Sequence, residues 1–283
     1  MKKLNILFLL LPLFVLSQED DLLKEIDDTT VSENYEIAAF KGLKIVNFES
    51  TKMVPQKQLY FVVSHRFGSI KTGIEDFFGL DQAVTRLNFI YGITDGINLG
   101  VSRSSFQRTY ESSLKLRLLR QKKGGIPFTV VLFNTVLLNT ALDEEQLPEL
   151  KFENRLGYTT QVLISKKLNP NLSLQIAPTY FHDNLVAIDE QENSQYSIGI
   201  GGRHKLTKRW SINMDYGLHL NRASNSPFKN PFSIGFDLET GGHVFQLHFT
   251  NAQPMNTNTF LGQATGDWSD GDVFFGFNLS RVF

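Results

Sequence analysis

The sequence predicts an all-β fold: a transmembrane antiparallel up-and-down β-barrel of about 12 strands. Three observations carry this. From Leu59 onward, segments of roughly ten residues alternate apolar and polar side chains, the length a tilted strand needs to cross hydrocarbon. The connections between them alternate between tight turns and longer loops, as short periplasmic turns and long extracellular loops require. The chain ends on Phe283 after an alternating apolar strand.

Composition agrees. Phe is abundant at 24 residues, Tyr adds 8, and Cys is absent, so disulfides and thiolate metal sites are excluded. Residues 1–17 read as a signal peptide: Lys2 and Lys3 precede the apolar run Leu4 to Leu16, which is too short to span a bilayer comfortably. Loss of those two lysines takes the net charge from −1 to −3, so nucleic acid is not an expected partner. Residues 18–39 form an acidic periplasmic tail, with eight carboxylates and only Lys24 between Gln18 and Glu36. Such a segment buries too little to order itself; the functional alternative is a docking arm for a periplasmic protein. Residues 40–56 contain a strand-like stretch, Ile45, Val46 and Phe48, suited to a plug, a periplasmic patch or an extra strand. Residues 57–283 are the barrel.

Within it, Thr85, Leu87, Phe89 and Tyr91 share one face and Arg86 and Asn88 the other. Ile97, Leu99 and Val101 oppose Asn98, Gly100 and Ser102; Leu114, Leu116 and Leu118 oppose Lys115 and Arg117. Phe152, Leu156, Tyr158 and Val162 oppose Lys151, Glu153, Arg155 and Gln161. Leu172, Leu174 and Ile176 oppose Ser173 and Gln175. Trp210 through Leu220 and Phe232 through Leu238 repeat the pattern, with Asp215, Asp237 and Glu239 on the polar side. Two segments, Leu59 to Phe67 and Ile126 to Leu138, are apolar on both faces and have no legible orientation.

Asp95-Gly96, Gly124-Gly125, Asn169-Pro170-Asn171 and Gly241-Gly242 supply tight-turn chemistry at four of the five short connections. Eleven connections imply twelve strands with both chain ends in the periplasm. Phe275, Phe277 and Leu279 alternate with Gly276, Asn278 and Ser280 in the last strand, with Arg281 interrupting the apolar face. Tyr91, Tyr110, Tyr180 and Trp210 fall near strand ends, where aromatic rings belong at a membrane–water interface.

His65-Arg66-Phe67-Gly68, Phe78-Gly79-Leu80-Asp81 and Tyr91-Gly92-Ile93-Thr94-Asp95 resemble an uncharacterised family of membrane-bound β-barrels from Bacteroidetes, a domain of unknown function. Gly100-Val101-Ser102-Arg103-Ser104-Ser105 and Leu116-Arg117-Leu118-Leu119-Arg120-Gln121 extend the resemblance, which spans about Phe40 to Phe283. It implies a barrel and an outer-membrane location, and carries over no catalytic residue.

Enzyme signals are poor. None of His65, His182, His204, His219, His243 and His248 has a ligand-spaced partner, and no nucleophile elbow or phosphate loop occurs. No cofactor is expected. A Ser–His pair on the lipid face remains the one enzymatic alternative. Asp267, Asp270 and Asp272 form a weak candidate metal loop, more simply read as a polar loop. The informative charges are those predicted to face the lumen: Arg86, Glu111, Lys115, Arg117, Lys151, Glu153, Arg155, Arg203, Asp215, Asp237 and Glu239. They either interlock and fill the lumen or line a path for a small polar solute. The leading expectation is a channel-like barrel in the cell outer membrane; the alternative is a closed structural or partner-binding barrel. Outer-membrane lipid, lipopolysaccharide and the barrel-assembly machinery are the expected partners.

Overall fold

The computed structural model describes residues 35–36 and 38–283. The expected signal peptide and most of the acidic tail lie outside the described residues. Twelve strands form one closed antiparallel barrel in sequence order: β1 (Leu59–Ser69), β2 (Ala83–Thr94), β3 (Ile97–Ser104), β4 (Tyr110–Leu119), β5 (Thr129–Leu138), β6 (Leu156–Lys167), β7 (Leu172–Asp183), β8 (Ser194–Lys205), β9 (Trp210–His219), β10 (Phe232–Thr240), β11 (His243–Thr250) and β12 (Phe274–Val282). Closure is made by β12 on β1, Tyr60 opposite Val282 through Arg66 opposite Gly276. Reciprocal bonds between Leu59 and Phe283, at 3.1 and 2.9 Å, seal the seam. No strand edge is left open, which is what lets a sheet cross hydrocarbon.

Burial alternates strictly. In β3 every second residue is buried, and in β7 Ser173, Gln175, Ala177, Thr179 and Phe181 point inward while Leu174, Ile176 and Tyr180 face out. Turns of two to nine residues occupy one end, as at 95–96, 120–128 and 241–242. The other end carries longer connections, including 139–155 and 251–273.

One predicted strand start is corrected. Lys151, Glu153 and Arg155 lie in the 139–155 loop, and β6 begins only at Leu156. The Lys151 amide donates to Asn154 Oδ1 at 2.8 Å, and the Asn154 amide to Lys151 O at 3.1 Å. That reciprocal pair winds the chain into a single 3-10 turn and overrides a weak alternation. Lys151 and Glu153 are exposed, and Arg155 pairs with Glu144 at 3.3 Å within the loop.

The two segments without a legible orientation are β1 and β5. Val62, Ser64 and Arg66 face inward on β1, and Val131, Phe133, Thr135 and Leu137 on β5. The β5 inner face is apolar because the lumen holds an apolar filling, whereas on β1 only Val62 meets apolar hairpin residues, Leu43 and Val54. Phe48, Met53, Val131, Phe133, Leu163, Phe181, Phe260 and Leu261 form one buried cluster inside the barrel.

Candidate functional site

The site is the lumen and what occupies it. Residues 43–50 form a hairpin inside the barrel, closed by Ile45 N–H to Phe48 O and Ser50 N–H to Leu43 O, both at 2.8 Å. Both arms leave through the short-turn end. On one side Tyr35 pairs with Lys122 in the β4–β5 turn. On the other, Lys57 N–H donates to Gly92 O at 2.8 Å, and Gln56 N–H to Asp95 in the β2–β3 turn at 3.0 Å. Gly92 is required there: a Cβ would sit 2.0 Å from Pro55 O. Residues 43–54 thus lie inside the barrel rather than adding a strand to its wall.

The wall grips the hairpin largely through its main chain. Asp215 Oδ2, midway along β9, accepts the consecutive N–H groups of Val46, Asn47 and Phe48 at 3.0, 2.7 and 3.0 Å. Gln246 and Asn278 donate to Ile45 O and Val46 O. Gln175 takes the Thr51 N–H and donates to Glu49 O at 2.7 Å, and Asn98 bonds both main-chain groups of Val54 at 2.8 Å. Arg66, almost fully buried, donates to Asn47 Oδ1 at 3.1 Å. An inner-wall series of glycines seats the apolar side chains: a Cβ on Gly199 would lie 2.3 Å from the Phe48 ring, and one on Gly201 2.5 Å from Ile45.

The remaining sequence-predicted charges separate into pairs. Arg86 and Glu111 form a buried ion pair, and Asn256 also donates to Glu111 at 2.9 Å. Lys115 reaches Glu49 at 3.3 Å, and Lys44 reaches the other Glu49 oxygen at 2.9 Å. Burial works to raise the Glu49 carboxyl, but the Lys44 and Lys115 ammoniums outweigh it and hold its pKa down at about 2. Arg203 donates to Ser211 at 3.0 Å and Asp237 accepts from Gln246 at 2.6 Å. Glu239 meets Lys41 at 3.1 Å, and Arg117 is half-buried near the short-turn mouth opposite Val131.

The other half of the lumen is filled from the long-loop end. The 251–273 connection folds inward and forms α1 (Thr257–Gly262), with Phe260 and Leu261 fully buried. Asn258 donates to Asp183 at 2.8 Å and accepts from Thr159. Phe260 meets Phe48 edge-on at 5.0 Å between ring centres, so the two fillings touch. Beside the hairpin, a void of about 30 Å³ lined by Leu43, Lys44, Glu49, Val62 and Ile90 has room for a water or two. Thr135, Gln161, Ser197 and His248 keep buried polar atoms without a protein hydrogen-bond partner.

Asp267, Asp270 and Asp272 do not converge; among the described residues no group of three acidic or histidine side chains is placed to hold a metal. Asp267 accepts from Ser269, Asp270 pairs with Lys71, and Asp272 accepts from Ser69. On the outer face, His182 Nδ1 lies 2.9 Å from Ser194 Oγ, but His182 Nε2 has no hydrogen-bond partner among the described residues that would orient the ring.

The residues that sequence reasoning missed are Lys44, Glu49, Arg66, Asn98, Gln175 and Gln246. Their signal was indirect: small residues at inward positions of β8 to β10 and apolar residues on both faces of β1 and β5.

The barrel is similar to solved porins. The KdgM porin in complex with disordered oligogalacturonate superposes with a TM-score of 0.50 at 6% identity, covering 80% of this chain and 99% of that one. The NanC porin gives 0.49 at 10% identity over 79% and 98%. An outer membrane channel from Pseudomonas putida F1 gives 0.47 at 14% identity over 82% and 98%. At such identities the likeness is one of fold. No curated protein is significantly similar to the chain. Residues 40–283 match the model of the Membrane bound beta barrel domain (DUF5777), and the chain belongs to that family.

Proposed function

We propose that the protein is an outer-membrane channel held shut by its own N-terminal hairpin and by the inward-folded 251–273 loop, passing a small polar solute once the hairpin withdraws into the periplasm and the loop lifts away. The reading places the short turns in the periplasm and takes residues 1–17 as the export signal. The observation that carries it is topological: both arms of the hairpin leave by the same mouth. Withdrawal therefore threads no chain through the barrel and breaks no strand pairing. The grip suits release, being built from separate hydrogen bonds to main-chain groups rather than from a shared sheet ladder. Wall atoms left without a protein partner, such as Gln161 Oε1 and the ring nitrogens of His248, are ones that a hydrated lumen would satisfy.

Planar-bilayer recording tests this. The full chain should be almost silent, and deletion of residues 38–54 together with residues 256–263 of the inward loop should give stepwise conductance. A deletion variant that remains a folded, heat-modifiable barrel and carries no current would refute the channel and leave the closed structural barrel.

A further inference from the structure

The outward face of β6 to β9 carries a notch. Register lines up Lys166, Leu174, Gly202 and Met214 side by side across the four strands. The neighbouring outward positions carry large side chains, apolar except for His204 at the foot, whereas Gly202 carries none. The gap leaves a groove of about 340 Å³ walled by Leu172, Leu174, Ile200, Ile212, Met214 and Tyr216. It opens toward the hydrocarbon and runs down to the short-turn end, where Lys205 closes β8.

The foot of the groove is basic. Lys166 stands two strands from Gly202 in the same row, a lateral distance of about 10 Å, within reach of a lysine side chain and a lipid headgroup between them. Lys208 lies exposed in the adjoining β8–β9 turn. No Asp or Glu occurs in residues 156–182 or 194–214, so the outward-facing cations Lys166 and Lys208 have no carboxylate neighbour within these strands and their turns. Trp210 is exposed at the start of β9, where an amphipathic ring marks the membrane–water interface.

We infer that this groove binds one anionic phospholipid, its acyl chain lying along Gly202 and its phosphate held by Lys166 and Lys208. An acyl chain is the occupant because hydrocarbon is the medium the groove opens into. The acid-free basic foot selects the headgroup, since each lysine near an anionic lipid surface favours binding about fivefold. A zwitterionic lipid fills the same groove without that gain. The inference requires only the membrane-bound barrel and is independent of whether the lumen opens.

Native mass spectrometry of the full chain tests it, using phosphatidylglycerol and phosphatidylcholine with matched acyl chains. The wild type should retain one phosphatidylglycerol under conditions that strip phosphatidylcholine. Lys166→Gln and Lys208→Gln should each weaken phosphatidylglycerol about fivefold and leave phosphatidylcholine unchanged. Gly202→Leu should fill the groove and weaken both lipids. Leu174 Cδ2 lies 3.1 Å from where a Cβ on Gly202 would sit, so heat-modifiability is checked for each variant. Equal retention of the two lipids by the wild type overturns the assignment, as does a folded Gly202→Leu that holds phosphatidylglycerol normally. If Gly202→Leu does not fold, the lysine variants decide alone, and unchanged phosphatidylglycerol binding in both overturns it.

Discussion

Removing Asp215 should loosen the hairpin more than any other single wall substitution, because one carboxyl oxygen serves three consecutive N–H groups at 3.0, 2.7 and 3.0 Å. Asp215→Ala leaves all three without an acceptor in a site where the residue itself is only 2% exposed. An unpaired buried N–H costs about 1–3 kcal/mol. Taking the low end for each, because water enters as the tip lifts, the inserted state loses about 3 kcal/mol. Since about 1.4 kcal/mol is a factor of ten, the withdrawn population should rise by a little over a hundredfold. Asp215→Asn keeps an acceptor but loses its charge assistance, and about tenfold is expected. The chain has no Cys, so Val46→Cys introduces a unique thiol at the hairpin tip, and Cys packs as a small apolar side chain. Maleimide labelling of folded protein should be slowest with the wall intact, faster with Asp215→Asn and fastest with Asp215→Ala. Equal labelling rates across the three backgrounds would show that Asp215 does not hold the tip.

Three further outcomes follow from the same contacts. Gly199→Leu drives a side chain into the Phe48 ring, where even a Cβ would lie at 2.3 Å; it should speed maleimide labelling at Val46→Cys by expelling Phe48, at an overpacking cost of about 1–3 kcal/mol if the hairpin stays. Arg86→Ala strands Glu111 inside the wall and should lower unfolding stability by about 3–5 kcal/mol in urea titrations, whereas Arg86→Met with Glu111→Leu should recover most of it. Glu49 has its folded pKa depressed to about 2, below its unfolded value, so its contribution is fully present above the unfolded pKa and is lost as pH falls toward 2. Labelling at the hairpin tip should therefore be slow at pH 7 and rise below about pH 4, more steeply in the wild type than in Glu49→Gln.

The barrel was legible because each strand repeats the same local rule. Trp210, Ile212, Met214 and Tyr216 meet lipid while Ser211, Asn213 and Asp215 turn away, and that period of two needs no knowledge of partners. The alternation of tight turns and long loops likewise follows from Gly, Asn, Asp and Pro at local positions, and the strand count of twelve came with it. Inward direction was readable for Arg86, Glu111, Lys115, Arg203, Asp215 and Asp237 for the same reason. It failed at Lys151, Glu153 and Arg155, where one reciprocal backbone contact outweighed a short alternation.

What fills the lumen was decided only in three dimensions. Val46 and Asp215 are 169 residues apart and Phe48 and Phe260 still further, and no local pattern encodes contacts of that separation. The charges alone fitted a wet path or an interlocked filling equally well. Tertiary structure settled the pairing because the hairpin brings its own carboxylate, Glu49, between Lys44 and Lys115 and its own main chain to Asp215. The sequence by itself determined a membrane-bound barrel with a polar interior, since lipid outside and polar groups inside act on every strand separately. Whether that interior is empty or occupied depends on a segment outside the repeating pattern, and only the folded chain brings that segment and the wall together.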